Sequence, residues 1–143
     1  AIQKQTALSE TAITPAEVFS SLHLEDSLVA VKATEHEMIR LYRDAISLVF
    51  PSLYEGFGMP ILEAWSCRCP VILANTSCFP EIAKNAAVYF NPYSEEEMFQ
   101  RMLELYENQT LRSKLVSLGD ERVLDFSWEK CANKHLHVYN LFK

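Results

Sequence analysis

Glycine is scarce in this sequence, since only three of the 143 residues are glycine. Two of the three, Gly56 and Gly58, lie in one short segment, and Gly119 stands far along the chain. Glycine tolerates backbone angles that other residues avoid, and it lets a ligand come close to the backbone. The clustering therefore directs attention to the segment around Gly56.

Other features of the composition exclude classes of function. Basic residues are outnumbered, 13 against 19 acidic ones, so the net charge is −6 and a nucleic-acid partner is not expected. No apolar run reaches the roughly 20 residues of a membrane-spanning helix. The four cysteines lie in or beside predicted helices and strands and not in a loop-rich disulfide framework, which fits a reduced, cytosolic protein. Cys67 and Cys69 do not have the usual zinc spacing and no nearby histidine completes a site, so we expect no metal.

The segment around the two glycines is predicted to form a strand, a loop and a helix. The apolar run Ser47–Phe50 is short enough for a buried strand, and Pro51 ends it because proline has no N–H for the sheet. Pro60 suits the first turn of a helix that continues through Ile61–Ser66. The first N–H groups of a helix have no internal partner and carry the positive end of its dipole. With glycines in front of it, this helix start predicts an anion site.

Two carboxylates bracket the predicted anion site: Glu55 before the glycines and Glu63 after them. A carboxylate repels a phosphate at short range, so each glutamate is better used on hydroxyl groups at the two ends of a ligand. A sugar, a diphosphate and a ribose in a row would satisfy this arrangement. The residues alone leave a simpler interpretation open, in which Glu63 complements the helix dipole and Glu55 is a solvated loop residue.

The rest of the chain alternates strands and helices. Further strands are predicted at Leu28–Lys32, Val71–Ala74 and Ala87–Phe90. Helices are predicted to begin at the capping residues Thr14, Thr34, Ser94, Thr110 and Ser127 and at Pro80. This alternation predicts an α/β fold, a parallel sheet with helices on both faces. Ligands of such sheets bind beyond the carboxyl ends of the strands, where the loops Ser52–Met59 and Asn75–Phe79 lie.

The segment Glu55–Ala64, Glu-Gly-Phe-Gly-Met-Pro-Ile-Leu-Glu-Ala, resembles the Glu-x7-Glu signature of retaining glycosyltransferases with the glycosyltransferase B fold. Bacterial mannosyl- and glucosyltransferases typify this family. The similarity continues, in order, at Leu41–Ala45, Cys69–Ile72, Asn75–Ser77, Pro80–Ile82, Ala86–Ala87 and Phe126–Trp128. The resemblance implies that residues 1–143 form a single Rossmann-like domain, the C-terminal donor-binding domain of that fold, truncated at its N-terminal side.

The resemblance also implies a reaction and a role for each motif residue. The reaction is retaining transfer of a hexosyl group from a UDP- or GDP-sugar to an acceptor hydroxyl, with no cofactor and no metal. Glu55 matches the catalytic glutamate that contacts hydroxyls of the transferred sugar, and Glu63 matches the glutamate that binds the ribose hydroxyls. The donor-binding residues implied between them are Gly56, Phe57, Gly58, Met59 and Pro60.

In its complete form such an enzyme is bacterial and cytoplasmic, acts in polysaccharide or glycan biosynthesis, and can associate with the inner face of the membrane. The acceptor, a glycan or a lipid-linked sugar, would bind an N-terminal domain that this chain lacks. The family's basic diphosphate-binding pair is also unmatched, and Arg68 stands where the family often has glycine. We therefore expect the chain alone to be inactive. Because missing upstream strands would leave an unpaired sheet edge, we also expect the chain to self-associate or to cover that edge with Ala1–Ile13.

Two other functions stay open at the level of sequence. One is a non-catalytic module that keeps the fold as a scaffold, although a scaffold has no need for both Glu55 and Glu63. The other is a sugar-nucleotide epimerase or a phosphorylase on the same fold. Trp65 and Trp128 are predicted to be packing residues rather than base-stacking platforms, and Gly119 is expected to bend or end the helix in which it lies.

Overall fold

A computed structural model describes residue 27 and residues 29–142. The chain divides into two compact units, Ala1–Ala33 and Thr34–Lys143. In the first unit residues 29–33 have no regular secondary structure, so the predicted strand Leu28–Lys32 is wrong. Its β-branched residues Val29 and Val31 are exposed, and β-propensity without a partner strand does not make a strand. The helix predicted from Thr14 lies outside the described residues.

The second unit holds all the regular elements discussed below. In chain order they are α1 (Glu35–Asp44), β1 (Leu48–Phe50), α2 (Met59–Ser66), β2 (Val71–Ala74), α3 (Phe79–Ala83), β3 (Val88–Phe90), α4 (Glu95–Glu107), α5 (Gln109–Val123) and α6 (Trp128–Asn140). The three predicted strands that fall in this unit are confirmed, each within one residue of its predicted bounds.

The strands form one parallel sheet in the order β1-β2-β3. Val49 pairs with Ile72, and Leu73 pairs with Tyr89. Successive side chains of a strand point to opposite faces of its sheet. All four residues of β2 are nevertheless buried, so both faces of the central strand are covered. The α/β fold with a parallel sheet is confirmed.

Most helix starts are where the capping residues predict them. Thr34 and Glu37 form a reciprocal capping box at α1, and Ser127 accepts from the N–H of Lys130 at α6. The prediction for α5 is wrong, because Asn108 and not Thr110 caps it. The Asn108 side chain accepts from the N–H of Leu111 at 2.9 Å, and asparagine caps a helix at least as well as threonine.

Trp65 of α2 lies in the core, as predicted, with 1% of its surface exposed. Its ring packs against Gly119, where an added Cβ atom would lie 2.5 Å from the ring's Cδ1. Gly119 therefore does not end α5, contrary to one part of the expectation; it makes room for Trp65 in a helix that runs on to Val123. The prediction for Trp128 is wrong, since it is 82% exposed on α6, a helix with no buried residue.

Candidate functional site

The loop between β1 and α2 depends on one glycine for its shape. Gly58 precedes the first residue of α2 with φ +91°, in the left-handed region that favours glycine. An added Cβ atom would also lie 3.0 Å from Ile61 Cδ1 and 3.1 Å from Phe79 Cε1. Gly56 differs, because an added Cβ atom there meets nothing within 4 Å. Gly58 is thus required by the fold, whereas Gly56 leaves the surface of the loop open.

The end of the loop has backbone N–H groups without an acceptor in the described part of the chain. Within residues 29–142, no acceptor binds the N–H groups of Gly56, Phe57, Gly58 and Met59, and no side chain caps α2. Pro60 lies in the first turn, as predicted, and has no N–H to satisfy. Free N–H groups at the positive end of a helix attract anions. The local geometry therefore supports the anion site that the sequence predicts.

Glu55 is half-buried beside these donors. Ser52 donates its hydroxyl to Glu55 Oε1 at 3.0 Å, and no described residue binds the other carboxylate oxygen. The backbone of Glu55 is held from the loop after β2. Its N–H donates to Ser77 Oγ at 3.2 Å, and the same hydroxyl donates to the Glu55 carbonyl at 2.9 Å. Glu55 thus has a fixed backbone and a carboxylate with acceptor capacity left for a ligand.

Glu63 is exposed and lies in the second turn of α2, since the helix begins at Met59. The effect of a helix dipole falls off within the first turn, so dipole complementation is a weak account of this residue. Tyr42 of α1 donates its hydroxyl to Glu63 Oε2 at 3.2 Å. Burial, together with the negative charge of Glu63, raises the pKa of Tyr42 to about 12, so the hydroxyl stays protonated and keeps donating.

Phe57 turns from the loop toward the end of α5. Its ring meets Phe126 edge to face, with 5.6 Å between centroids, and the Arg122 guanidinium lies 4.7 Å from the Phe126 ring centre. Arg122 donates from Nε to Ile82 O, from Nη2 to Glu81 O and from Nη1 to Asp125. Each guanidinium nitrogen thus donates one hydrogen bond within the protein, so Arg122 ties α3 to the end of α5 as a structural cation.

The two loops that were expected to meet at the carboxyl ends of the strands do so. Besides Ser77, the second loop contributes Thr76, which donates to Leu53 O at 3.4 Å, and Cys78, whose thiol lies 3.3 Å from the carbonyl oxygens of Glu55 and Phe57. Sequence reasoning missed Ser77, Cys78 and Tyr42 as neighbours of the two glutamates. The sequence signals were the loop position of Asn75–Phe79 and the family-like segments Leu41–Ala45 and Asn75–Ser77, none of which identifies the contacting residues.

Other types of site receive no support within the described part of the chain. No three His, Cys, Asp or Glu side chains converge there as metal ligands would. None of its helices combines the length and the apolar character that crossing a bilayer demands. A shallow depression at the turn between α4 and α5 contains two carboxylates and no basic group, so it does not suit an anionic ligand; it is lined by Glu104, Glu107, Asn108, Gln109 and Thr110.

Residues 17–122 match the sequence profile of a family described as glycosyl transferases group 1. The chain belongs to this family. The match spans more than half of the chain and contains both loops and both glutamates, so the group 1 resemblance in the sequence is confirmed.

Relatives of the chain include proteins named as mannosyltransferases. The O-antigen chain mannosyltransferase B of Escherichia coli is 33% identical over 107 residues, covering 75% of this chain and 28% of that protein. The O-antigen chain mannosyltransferase RfbU of Salmonella typhimurium is 38% identical over 76 residues, 52% of this chain and 22% of that protein. The chain thus spans about a quarter of the length of these relatives.

The fold has a solved counterpart. Sucrose-phosphate synthase from Thermosynechococcus elongatus superimposes with a TM-score of 0.77 at 24% identity, over 89% of this chain and 33% of that one. At this identity the likeness concerns the fold alone. It confirms the Rossmann-like architecture expected of the C-terminal domain of a glycosyltransferase B fold.

Proposed function

We propose that this chain is the donor-binding part of a retaining hexosyltransferase that uses a UDP- or GDP-sugar. The observation that carries the proposal is the row of N–H groups from Gly56 to Met59, which have no acceptor among residues 29–142 and which Glu55 precedes and Glu63 follows in the chain. Group 1 membership supplies the reaction class. We favour a mannosyl group, because the two relatives above are mannosyltransferases.

Each part of the donor finds suitable chemistry in this arrangement. The free N–H groups and the helix dipole would stabilise the diphosphate as the bond from its oxygen to the anomeric carbon breaks and negative charge develops. The acceptor oxygen forms the new bond to that carbon and passes its proton to the departing diphosphate, with the anomeric configuration retained. Glu55, whose second carboxylate oxygen has no partner among the described residues, would accept from hydroxyls of the transferred sugar near the reacting carbon.

Glu63 would hold the ribose. An ionised carboxylate has only acceptors, and the two adjacent ribose hydroxyls are two donors, so a bidentate match is natural. The hydroxyl of Tyr42 donates one hydrogen bond to Oε2 of Glu63. The carboxylate is exposed and keeps further acceptor capacity for a ligand. No metal or cofactor is assigned a role, since the N–H groups and basic residues of the complete enzyme would neutralise the diphosphate.

The remaining partners follow from the same proposal. The acceptor is a glycan or a lipid-linked sugar bound by an N-terminal domain, and the complete enzyme acts in the cytoplasm, associated peripherally with the membrane. Holding the acceptor at the donor supplies a large part of the rate of such a reaction. We therefore expect the 143-residue chain alone to transfer no sugar, and sugar transfer by the purified chain would contradict this division of labour.

The test compares the complete enzyme with its Glu55→Gln variant, using radiolabelled UDP- and GDP-hexoses and a lipid-linked saccharide acceptor. Glu55→Gln should lower kcat by at least about a hundredfold, while Glu107→Gln, an exposed change at the end of α4, should match the wild type. Proton NMR of the product should show the anomeric configuration of the donor. An inverted product, or full activity of Glu55→Gln, would overturn the proposal.

The same experiment separates the other functions that the fold permits. An epimerase would convert the donor sugar without an acceptor, and a phosphorylase would need inorganic phosphate. A scaffold module would do neither, and its binding partners would not require Glu55 and Glu63. A dependence of turnover on the acceptor hydroxyl is the result that the proposed transferase predicts.

A further inference from the structure

We infer that Ser77 is a positioning residue for Glu55, an inference that rests on the proposed function. Ser77 belongs to the loop between β2 and α3, 22 residues from Glu55 in the chain. Its single hydroxyl both accepts from the N–H of Glu55, at 3.2 Å, and donates to the carbonyl of Glu55, at 2.9 Å. One side chain thus fixes both backbone polar groups of the proposed catalytic residue.

This contact matters because little else fixes Glu55. Among the described residues, only Ser52 of the same loop hydrogen-bonds to its carboxylate, so the side chain is oriented from a segment that could move with it. The connection to a separate element runs through the backbone, by way of Ser77 and the weaker thiol contact of Cys78 at 3.3 Å. Small displacements of a catalytic group are costly, since about 1 Å can reduce a rate a hundredfold.

The backbone of Ser77 indicates that the contact is retained at a cost. Its φ of +53° lies in the left-handed region, which a serine adopts less readily than a glycine. Strained backbone persists where the surrounding structure requires it, often at functional sites. A glycine at position 77 would adopt this φ without strain but would lose both hydrogen bonds to Glu55. Stability therefore favours glycine at position 77, whereas the positioning of Glu55 favours serine, and substitutions can separate the two effects.

The experiment uses two substitutions of Ser77 in the complete enzyme. Ser77→Ala removes the hydroxyl and keeps the unfavourable φ, whereas Ser77→Gly removes the hydroxyl and relieves it. Ser77→Gly should therefore be the more stable of the two in urea unfolding. Positioning predicts that both variants nevertheless lose kcat alike, by about tenfold or more, while the donor KM changes less than about twofold. Ser117→Ala, which removes an exposed hydroxyl from α5, serves as the control and should equal the wild type.

Each outcome decides the inference. Equal losses of kcat in two variants of unequal stability support it. A kcat that follows stability, or full activity of Ser77→Gly, shows that Ser77 has only a structural role and overturns the inference while the proposed function stands. A wild-type enzyme that transfers no sugar overturns the proposed function and this role with it. Amide hydrogen exchange adds a check independent of turnover: the Glu55 N–H should exchange faster in both variants, and unchanged exchange would also refute the positioning role of Ser77.

Discussion

Gly119→Ala places a methyl group where α5 meets the indole of Trp65. The new Cβ atom would lie 2.5 Å from Cδ1 of that ring and 3.0 Å from Cγ and Nε1. Real Cβ atoms do not approach a neighbour as closely as 2.5 Å, so the ring or the helix must move. Trp65 is 1% exposed and surrounded by core side chains, which leaves its rigid ring little room to do so.

Two effects oppose each other in this variant. Alanine is the better helix former by about 1 kcal/mol in the middle of α5. Overpacking a dense core costs about 1–3 kcal/mol, and a clash with a rigid ring belongs at the upper end of that range. We therefore expect a net loss of about 2 kcal/mol in the free energy of unfolding. The contact between Gly119 and Trp65 also holds α2, the helix that carries Glu63. We therefore expect Gly119→Ala to weaken donor binding as well as to lower stability.

Urea unfolding followed by circular dichroism measures the change. Ser113→Ala, at an exposed position of the same helix, should stay within about 0.5 kcal/mol of the wild type. A double-mutant cycle with Trp65→Leu tests the cause, since a smaller side chain makes room for the methyl group and the double variant should lose less than the sum of the single ones. An unchanged or raised stability of Gly119→Ala would refute the packing argument.

Two further predictions concern the loop and its surroundings. Gly58→Ala should lower the free energy of unfolding by about 1–2 kcal/mol, because φ is +91° and the Cβ atom meets Ile61 and Phe79, whereas Gly56→Ala should be nearly neutral; equal losses in urea would contradict this. Burial raises the pKa of Tyr42 from 10.0 to about 12, so its contribution to stability is complete below pH 10 and is lost as the pH rises toward 12. Between pH 10 and pH 12, the free energy of unfolding should fall less in Tyr42→Phe than in the wild type. An equal fall in the two proteins would contradict the raised pKa of Tyr42.

The local signals in the sequence were sufficient for most of the fold. Pro51 and Pro60 mark the end of β1 and the first turn of α2, and the apolar run Val71–Ala74 is β2 as predicted. Such signals depend on residues that are close in the chain. Val29 and Val31 show where they fail, because a β-rich run becomes a strand only when another strand pairs with it.

The sequence was sufficient to predict the motif residues of the candidate site, but not the residues that hold them in place. Glu55, Gly58 and Glu63 stand in one segment, so their spacing could be read directly. Ser77 and Tyr42 contact the glutamates across 22 and 21 residues, and those contacts exist only after the sheet and α1 are assembled. Packing likewise decided the tryptophans: their chemistry is the same, but only Trp65 has a neighbouring helix that leaves space for it.

The most direct test of the proposed donor site is nucleotide binding at Glu63. Calorimetry on the complete enzyme would compare GDP and UDP with their 2′,3′-dideoxy analogues, for the wild type and for Glu63→Gln. Hydrogen bonds to a charged group contribute about 1.5–3 kcal/mol, so the wild type should prefer the ribose form by at least about tenfold and Glu63→Gln should show little preference. Equal discrimination by both proteins would contradict the assignment of Glu63 to the ribose and, with it, the proposed placement of the donor.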